Sequence, residues 1–403
     1  MTANFLSGES LYQDVVTYSQ FGDHRTASEG ELGTTEWMTE QLKAAGLKTT
    51  LQTFPVHQFF LHQASLTIDS QALECFPWWP PQATGPKPIQ ATLANFGAEP
   101  SQQKGRIALV RYPATTPVLG KEVISNIQAA IEAGAIGVVV VCQGIANQIV
   151  VRNTASQQPA WPVPVVLVRP GDEATLATAA EQGAVASLLV EGRDEPNAQA
   201  TNLIGTLERG QETIVISTPK SGWFTCGGER GPGVALFLAL ARWVSQRQGD
   251  VSYVFDANTG HEFLGLGARR YLSELAPRPE QVLLWIHLGA NIATWDWEQS
   301  PEGLKPRPAQ EKHWVVCSGP DILPVATSAF AHIPGIKPIV GQGLGEMRLF
   351  IEAGYRGFGV NGNVHPFFHT PSDGPEVTAP ELLEPVALAL TKALELAEAM
   401  AQS

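Results

Sequence analysis

The sequence predicts an α/β protein whose larger part is a three-layer arrangement of helices packed on both faces of a sheet. Three observations carry that expectation. Short apolar runs of strand length alternate with longer runs in which apolar residues recur at helical spacing. The alternation changes rhythm near Thr201, from a compact unit to longer ones. The polar residues with chemical potential gather in loops directly after strand-like runs, where open α/β sheets place their ligand sites.

Taken in order, residues 8 to 46 read as helical. Trp37, Met38, Leu42, Ala45 and Leu47 hold helical spacing, and Gly46 is a natural stop. An extended piece follows from Lys48 to Val56. The run Phe76-Pro-Trp-Trp-Pro-Pro is punctuation, suited neither to a helix nor to a central strand. Arg106 to Tyr112, Gly137 to Cys142, Pro164 to Val168 and Val185 to Val190 read as strands. Between them lie two helices, Lys121 to Ala133, closed by Gly134, and Asp172 to Gln182. Beyond Thr201, Thr213 to Ser217 is a strand, then comes the loop CGGERGPG, then an apolar helix from Pro232 to Gln246. Val251 to Ala257, Val282 to Leu288, Trp314 to Cys317 and Gly357 to Val360 are further strands. A helix begins near Glu262, and an Ala/Leu/Glu-rich helix spans Ala379 to Ala401.

Composition narrows the function classes. At 403 residues the chain holds two or three domains of about 150 residues each. With 44% hydrophobic and 16% charged residues it is globular and lightly charged. Its 26 basic and 39 acidic residues leave a net charge of −13, which disfavours nucleic acid and anionic membrane as partners, since both demand a basic face. No apolar run reaches the roughly 18 residues of a membrane span. The N-terminus has neither a basic start nor an apolar stretch, so a cytoplasmic protein is expected. Cys75, Cys142, Cys226 and Cys317 are scattered, without the paired spacing of a zinc or redox motif.

Three loops concentrate candidate chemistry: Glu229 in CGGERGPG, His261-Glu262 after the strand at 251–257, and His369 in VHPFFHTPSD. Two carboxylates and an imidazole from separate strand ends are the donor types of a catalytic zinc site with a position left for water. Loop acids and histidines are also commonly just solvated. Glu229 has the alternative of an ion pair with Arg230, and His261 and His287 that of satisfied, partly buried imidazoles. The zinc helix HExxH is absent, because Gly265 stands where its second His would be. Cys226, ahead of a helix N-terminus, is a candidate low-pKa thiol with His261 as a partner. The Trp residues at 223, 285, 295 and 297 are pocket or core.

Over nearly its whole length the chain resembles the zinc aminopeptidase and glutamate-carboxypeptidase-type peptidase family with an inserted protease-associated domain. The resemblance rests on HRTASEGELGTTEWMTEQLKAAGL, GRIALVRYP, KEVISNIQAAIEAGAIGVVVV and PVPVVLV, followed in order by NLIGTLERGQETIVIS, GERGPGVALFLALAR, YVFDANTGHEFLGLGARRYL and FHTPSD. It implies a mixed-sheet core formed by residues 1–60 and 198–403, with the inserted domain at 61–197. The family holds two metal ions and uses a glutamate as general base. Here its first His ligand falls at Pro219, with Ser221 where the supporting Asp stands. The bridging Asp falls at Glu229, and the Glu-Glu pair at His261 and Glu262. The later Asp falls at Gly289, the last His at His369, and an outer acidic position near Glu346.

The losses at Pro219 and Gly289 belong to one metal, so the resemblance implies no two-metal enzyme. It leaves room for one zinc on Glu229, Glu262 and His369, with His261 as general base. A single-metal hydrolase of peptide or small amide substrates follows. Glutaminyl cyclases, with one zinc, set a precedent. The alternative is a catalytically inactive relative that uses the site for binding, as the transferrin receptor does.

Overall fold

A computed structural model describes residues 4–112, 121–307 and 313–401. They form two units: Met1–Phe54 with Gln199–Phe368 and Asp373–Ser403, and Pro55–Ala198 with His369–Ser372.

In the first unit the sheet runs, edge to edge, Ile339–Val340, His313–Cys317, Gly357–Gly362, Val282–Leu288, Thr213–Pro219, Ser252–Asn258 and the end of Val185–Leu207. The middle four strands are parallel. His313–Cys317 runs antiparallel to Gly357–Gly362, and residues 203–207 run antiparallel to Ser252–Asn258, so the sheet is mixed.

Helices cover both faces because the strands are apolar on both. Ile214 and Ile216 face a core shared with helices Gly8–Ser19, Gly231–Ser245, Leu323–Phe330 and Pro380–Ala401, while Val215 faces Leu266–Glu274 and Met347–Glu352 on the other side. A register shift between Val282 and Leu284 puts Val282 on the same face as Trp285. Helix Gly231–Ser245 is apolar nearly all round and is accordingly buried on almost every side.

The chain passes from Thr213–Pro219 to Ser252–Asn258 on one side, then crosses to Val282–Leu288 on the other. Such a reversal, here at the carboxyl end of Thr213–Pro219, marks the place where open α/β sheets bind ligands.

The second unit is a smaller sheet ordered residues 185–190, Ile89–Ala94, Ile107–Tyr112, Gly137–Cys142, Val165–Val168 and Phe76–Pro77. Its middle four strands are parallel; helix Lys121–Glu132 is the crossover from Ile107–Tyr112 to Gly137–Cys142, and helix Glu173–Glu181 leads from Val165–Val168 to the antiparallel strand at 185–190. Leu93, Ile107, Val139, Val166, Leu176 and Leu188 anchor a core of its own. Phe76–Pro77 is a two-residue edge strand, as its prolines require.

Three readings are corrected. Residues 8–46 are two helices, Gly8–Ser19 and Glu29–Ala44, because Gly22 turns left-handed (φ +82°) and Ser28 caps the second helix through its hydroxyl. The extended piece after Lys48 runs on to Ile68. The helix expected at Glu262 begins at Leu266, after a single 3-10 turn at His261–Phe263 bounded by left-handed Gly260, Leu264 and Gly265.

Candidate functional site

The parallel strands of the first unit deliver their loops to one end. Thr213–Pro219 ends at Lys220 and Ser221, and Ser252–Asn258 leads into His261 and Glu262. The backbone N–H of Lys220 donates to Asn258 O at 2.8 Å, extending the pairing of these two strands past Pro219. Segment 23–28, between the first two helices, packs on the same end: Gly222 N–H donates to His24 O at 3.1 Å, and Gly260 N–H to Thr26 Oγ1 at 3.0 Å.

Glu262 is fully buried, and both its oxygens are engaged. Thr26 N–H donates to Oε1, and Ser221 Oγ donates to Oε2 at 2.9 Å. Burial raises its pKa, and those same hydrogen bonds pull against the rise. Ser221 Oγ also accepts from His261 N–H at 3.1 Å, so one hydroxyl fixes the turn that carries His261 and Glu262.

His261 lies at the rim, with Nδ1 2.9 Å from Glu346 Oε1. Burial alone would raise the Glu346 carboxyl. The hydrogen bond from His261, with the positive potential of His261, His287 and Arg230, holds it below its ordinary value instead. A donating Nδ1–H leaves Nε2 as the acceptor of this imidazole.

Glu229 is buried and paired with its neighbour, Arg230 Nη2 standing 2.6 Å from Oε1. Asp373 clamps the loop ahead of it, accepting from Gly228 N–H at 2.8 Å and Glu229 N–H at 3.1 Å. Burial, then the charge of Glu229, pushes the Asp373 carboxyl well above its usual range. His369 belongs to the second unit, where its Nδ1 is 3.0 Å from Val151 O and its own carbonyl accepts from Val151 N–H at 3.0 Å.

Lys220 is completely buried, and its ammonium is ion-paired with the equally buried Glu31 of helix Glu29–Ala44. Burial lowers its pKa, and the negative charges of Glu262 and Asp256 pull against that fall. Sequence reasoning missed this pair. A lysine directly after the strand TIVISTP was the available signal, but its partner lies 189 positions away in sequence, beyond any local pattern. Asp256 was missed too; burial drives its carboxyl well above the ordinary value.

The Cys226 reading is corrected. Its thiol is fully buried, 3.1 Å from Tyr18 Oη, and burial followed by the charge of Glu229 raises its pKa far above the ordinary thiol value. The helix N-terminus is outweighed, and the thiol is a packed core group. Trp223 and Trp285 are likewise core, and His287 is a satisfied interior imidazole beside Ser217 Oγ at 2.9 Å.

No family model matches the sequence, and no curated protein matches it. Solved structures do. A zinc aminopeptidase from Bacillus subtilis superposes with a TM-score of 0.77 at 18% identity, over 97% of this chain and 95% of that one. The fold is that of the M28 aminopeptidases. A peptidase M28 precursor from Shewanella amazonensis gives 0.73 at 16% identity, over 97% and 96% of the two chains. A glutaminyl cyclase from Bacteroides thetaiotaomicron gives 0.50 at 12%, over 96% and 97%. Identities this low carry the fold and leave the chemistry to the residues of the site.

Those residues are a poor fit to zinc. Among the described residues no three His, Cys, Asp or Glu side chains come together as a metal-holding group. Arg230 already neutralises Glu229, Glu262 is satisfied by two protein donors, and the ammonium of Lys220 lies buried at the same strand ends. A divalent ion entering there would meet buried positive charge in a medium that screens it weakly. No helix of the described residues is long and apolar enough to cross a membrane.

Proposed function

We propose that this protein is a divergent relative of the aminopeptidases whose strand-end site binds a peptide or small amide ligand without zinc-dependent hydrolysis. Residues 61–197, within the second unit, would then correspond to a protease-associated domain. The observation that carries the reading is the prior engagement of Glu229 by Arg230 and of Glu262 by Thr26 and Ser221. A guanidinium 2.6 Å from Glu229 Oε1 competes directly with a divalent cation for that carboxylate, and in the interior the competition is screened weakly.

One observation favours hydrolysis: the 2.9 Å pairing of His261 with Glu346, which orients an imidazole as a general base orientation requires. In that second reading Glu346 holds the tautomer and His261 takes a proton from water at Nε2.

One experiment separates the two. Tag-free protein purified without chelator is analysed for zinc, then tested against a panel of aminoacyl-anilides and for binding of dipeptides and aminoacyl amides, with and without EDTA. The binding reading expects far less than one zinc per chain, no turnover, and affinities unchanged by EDTA. About one zinc per chain, lost together with amide hydrolysis in Glu262→Gln, overturns it. Turnover that survives EDTA and falls in Glu346→Gln establishes the His261 reading instead.

A further inference from the structure

The cations of the strand-end site are built into the chain. Lys220 and Glu31 are each 0% exposed and paired, although they come from a strand end and a helix far apart in sequence. Glu31 is held in place independently of the lysine: its Oε2 accepts from Ala27 N–H at 3.2 Å, and Thr35 Oγ1 lies 3.4 Å from Oε1. Arg230 is 1% exposed and stands 2.6 Å from Glu229, itself set by the grip of Asp373 on its backbone. Both cations sit beside the sheet reversal, one on each side of the glycine-rich loop that separates Pro219 from helix Gly231–Ser245.

Buried carboxylates at this density require neutralisation, by protons, by a bound ion or by protein cations. We propose that Lys220 and Arg230 are resident counter-cations that do the charge-balancing work a divalent ion would otherwise do, so that the site keeps its shape without any metal. The inference rests on the binding reading for its setting and goes beyond it by assigning a role to Lys220, Glu31 and Arg230.

The asymmetry of buried ion pairs supplies the test. Removing one partner strands the other charge in the interior, whereas replacing both with neutral groups of similar size restores balance. Thermal unfolding is followed for the full chain in EDTA and again with added zinc or magnesium. The midpoint is expected to be the same in each. Lys220→Met is expected to lower it by roughly 5 °C or more, and Lys220→Met with Glu31→Gln to recover at least half of that loss. Arg230→Met and its pairing with Glu229→Gln should behave in the same way.

Should Lys220→Met fail to fold, folding of its double variant supports the assignment, and failure of both overturns it. A midpoint that falls in EDTA and returns with one equivalent of zinc overturns it too, as does a single variant no less stable than its double. Metal-free amide hydrolysis by His261 would defeat the binding reading and leave this inference standing.

Discussion

His287 shows how burial, and not position in a motif, decides what a histidine does. It accompanies Trp285, whose Nε1–H donates to Ser217 Oγ at 2.8 Å, and the same hydroxyl lies 2.9 Å from His287 Nδ1. Burial drops its pKa to about 4, with the charge of Glu346 opposing. Because the folded value lies below the unfolded one, the stability of the neutral imidazole is fully present above about pH 6.5 and is lost as pH falls toward 4. His287→Gln cannot be protonated, so it should cost about 3 kcal/mol less at pH 4 than at pH 7.5. Urea unfolding of both proteins at the two pH values measures this, and an equal cost at both refutes it. Asp256 and Asp373 work in the opposite sense: their raised values mean stability present at low pH and lost as pH climbs through them. The sequence singled out Glu229, Glu262, His261 and Glu346, and offered the Arg230 pairing as one alternative. It was silent on Lys220 and Glu31, because a buried ion pair between distant segments leaves no local periodicity.

At the scale of elements, the strands and helices flanking the site were readable because their apolar patterns are strong. Thr213–Pro219, Ser252–Asn258, Val282–Leu288 and helix Gly231–Ser245 lie within two residues of where the pattern put them. The break at 20–28 was not readable. It depends on left-handed Gly22 and Ala27 (φ +82° and +64°), the latter fixed by its N–H to Glu31. Close approach of elements is likewise invisible to propensity. Gly233 stands where helix Gly231–Ser245 meets the sheet, and a Cβ there would lie 2.8 Å from Thr218 Oγ1 and 3.5 Å from the Leu288 and Gly289 carbonyls. Thr218 Oγ1 is not free to move, since it donates to Leu288 O at 3.0 Å. Gly233→Ala should therefore destabilise by about 1–3 kcal/mol through overpacking, although alanine is the better helix former. A variant equal to or more stable than wild type in urea would show that the helix can retreat.

On the scale of the whole molecule, each unit has a core of its own, so a single all-or-none transition is not expected. Leu240 belongs to the first core and Leu176 to the second, and both are 0% exposed. Leu→Ala at either position should cost on the order of 2–5 kcal/mol. In calorimetry, Leu176→Ala should lower one transition and Leu240→Ala the other. Two variants that shift one common transition equally would mean that the units unfold as one body. The net charge of −13 bears on solubility and on the choice of partners, and not on this architecture.

By itself the sequence determined the α/β class, most of the sheet and helix positions, and the loops in which chemistry would concentrate. Those follow from apolar periodicity and from glycine and proline, which act over a few residues. Only the tertiary structure decided which charges meet. It paired Lys220 with Glu31, Arg230 with Glu229 and His261 with Glu346, gave both oxygens of Glu262 to protein donors, and placed His369 with residues 55–198. The physical reason is that a buried charge must be compensated wherever the chain can bring a partner, and the segment that supplies it is set by the packing of the folded core.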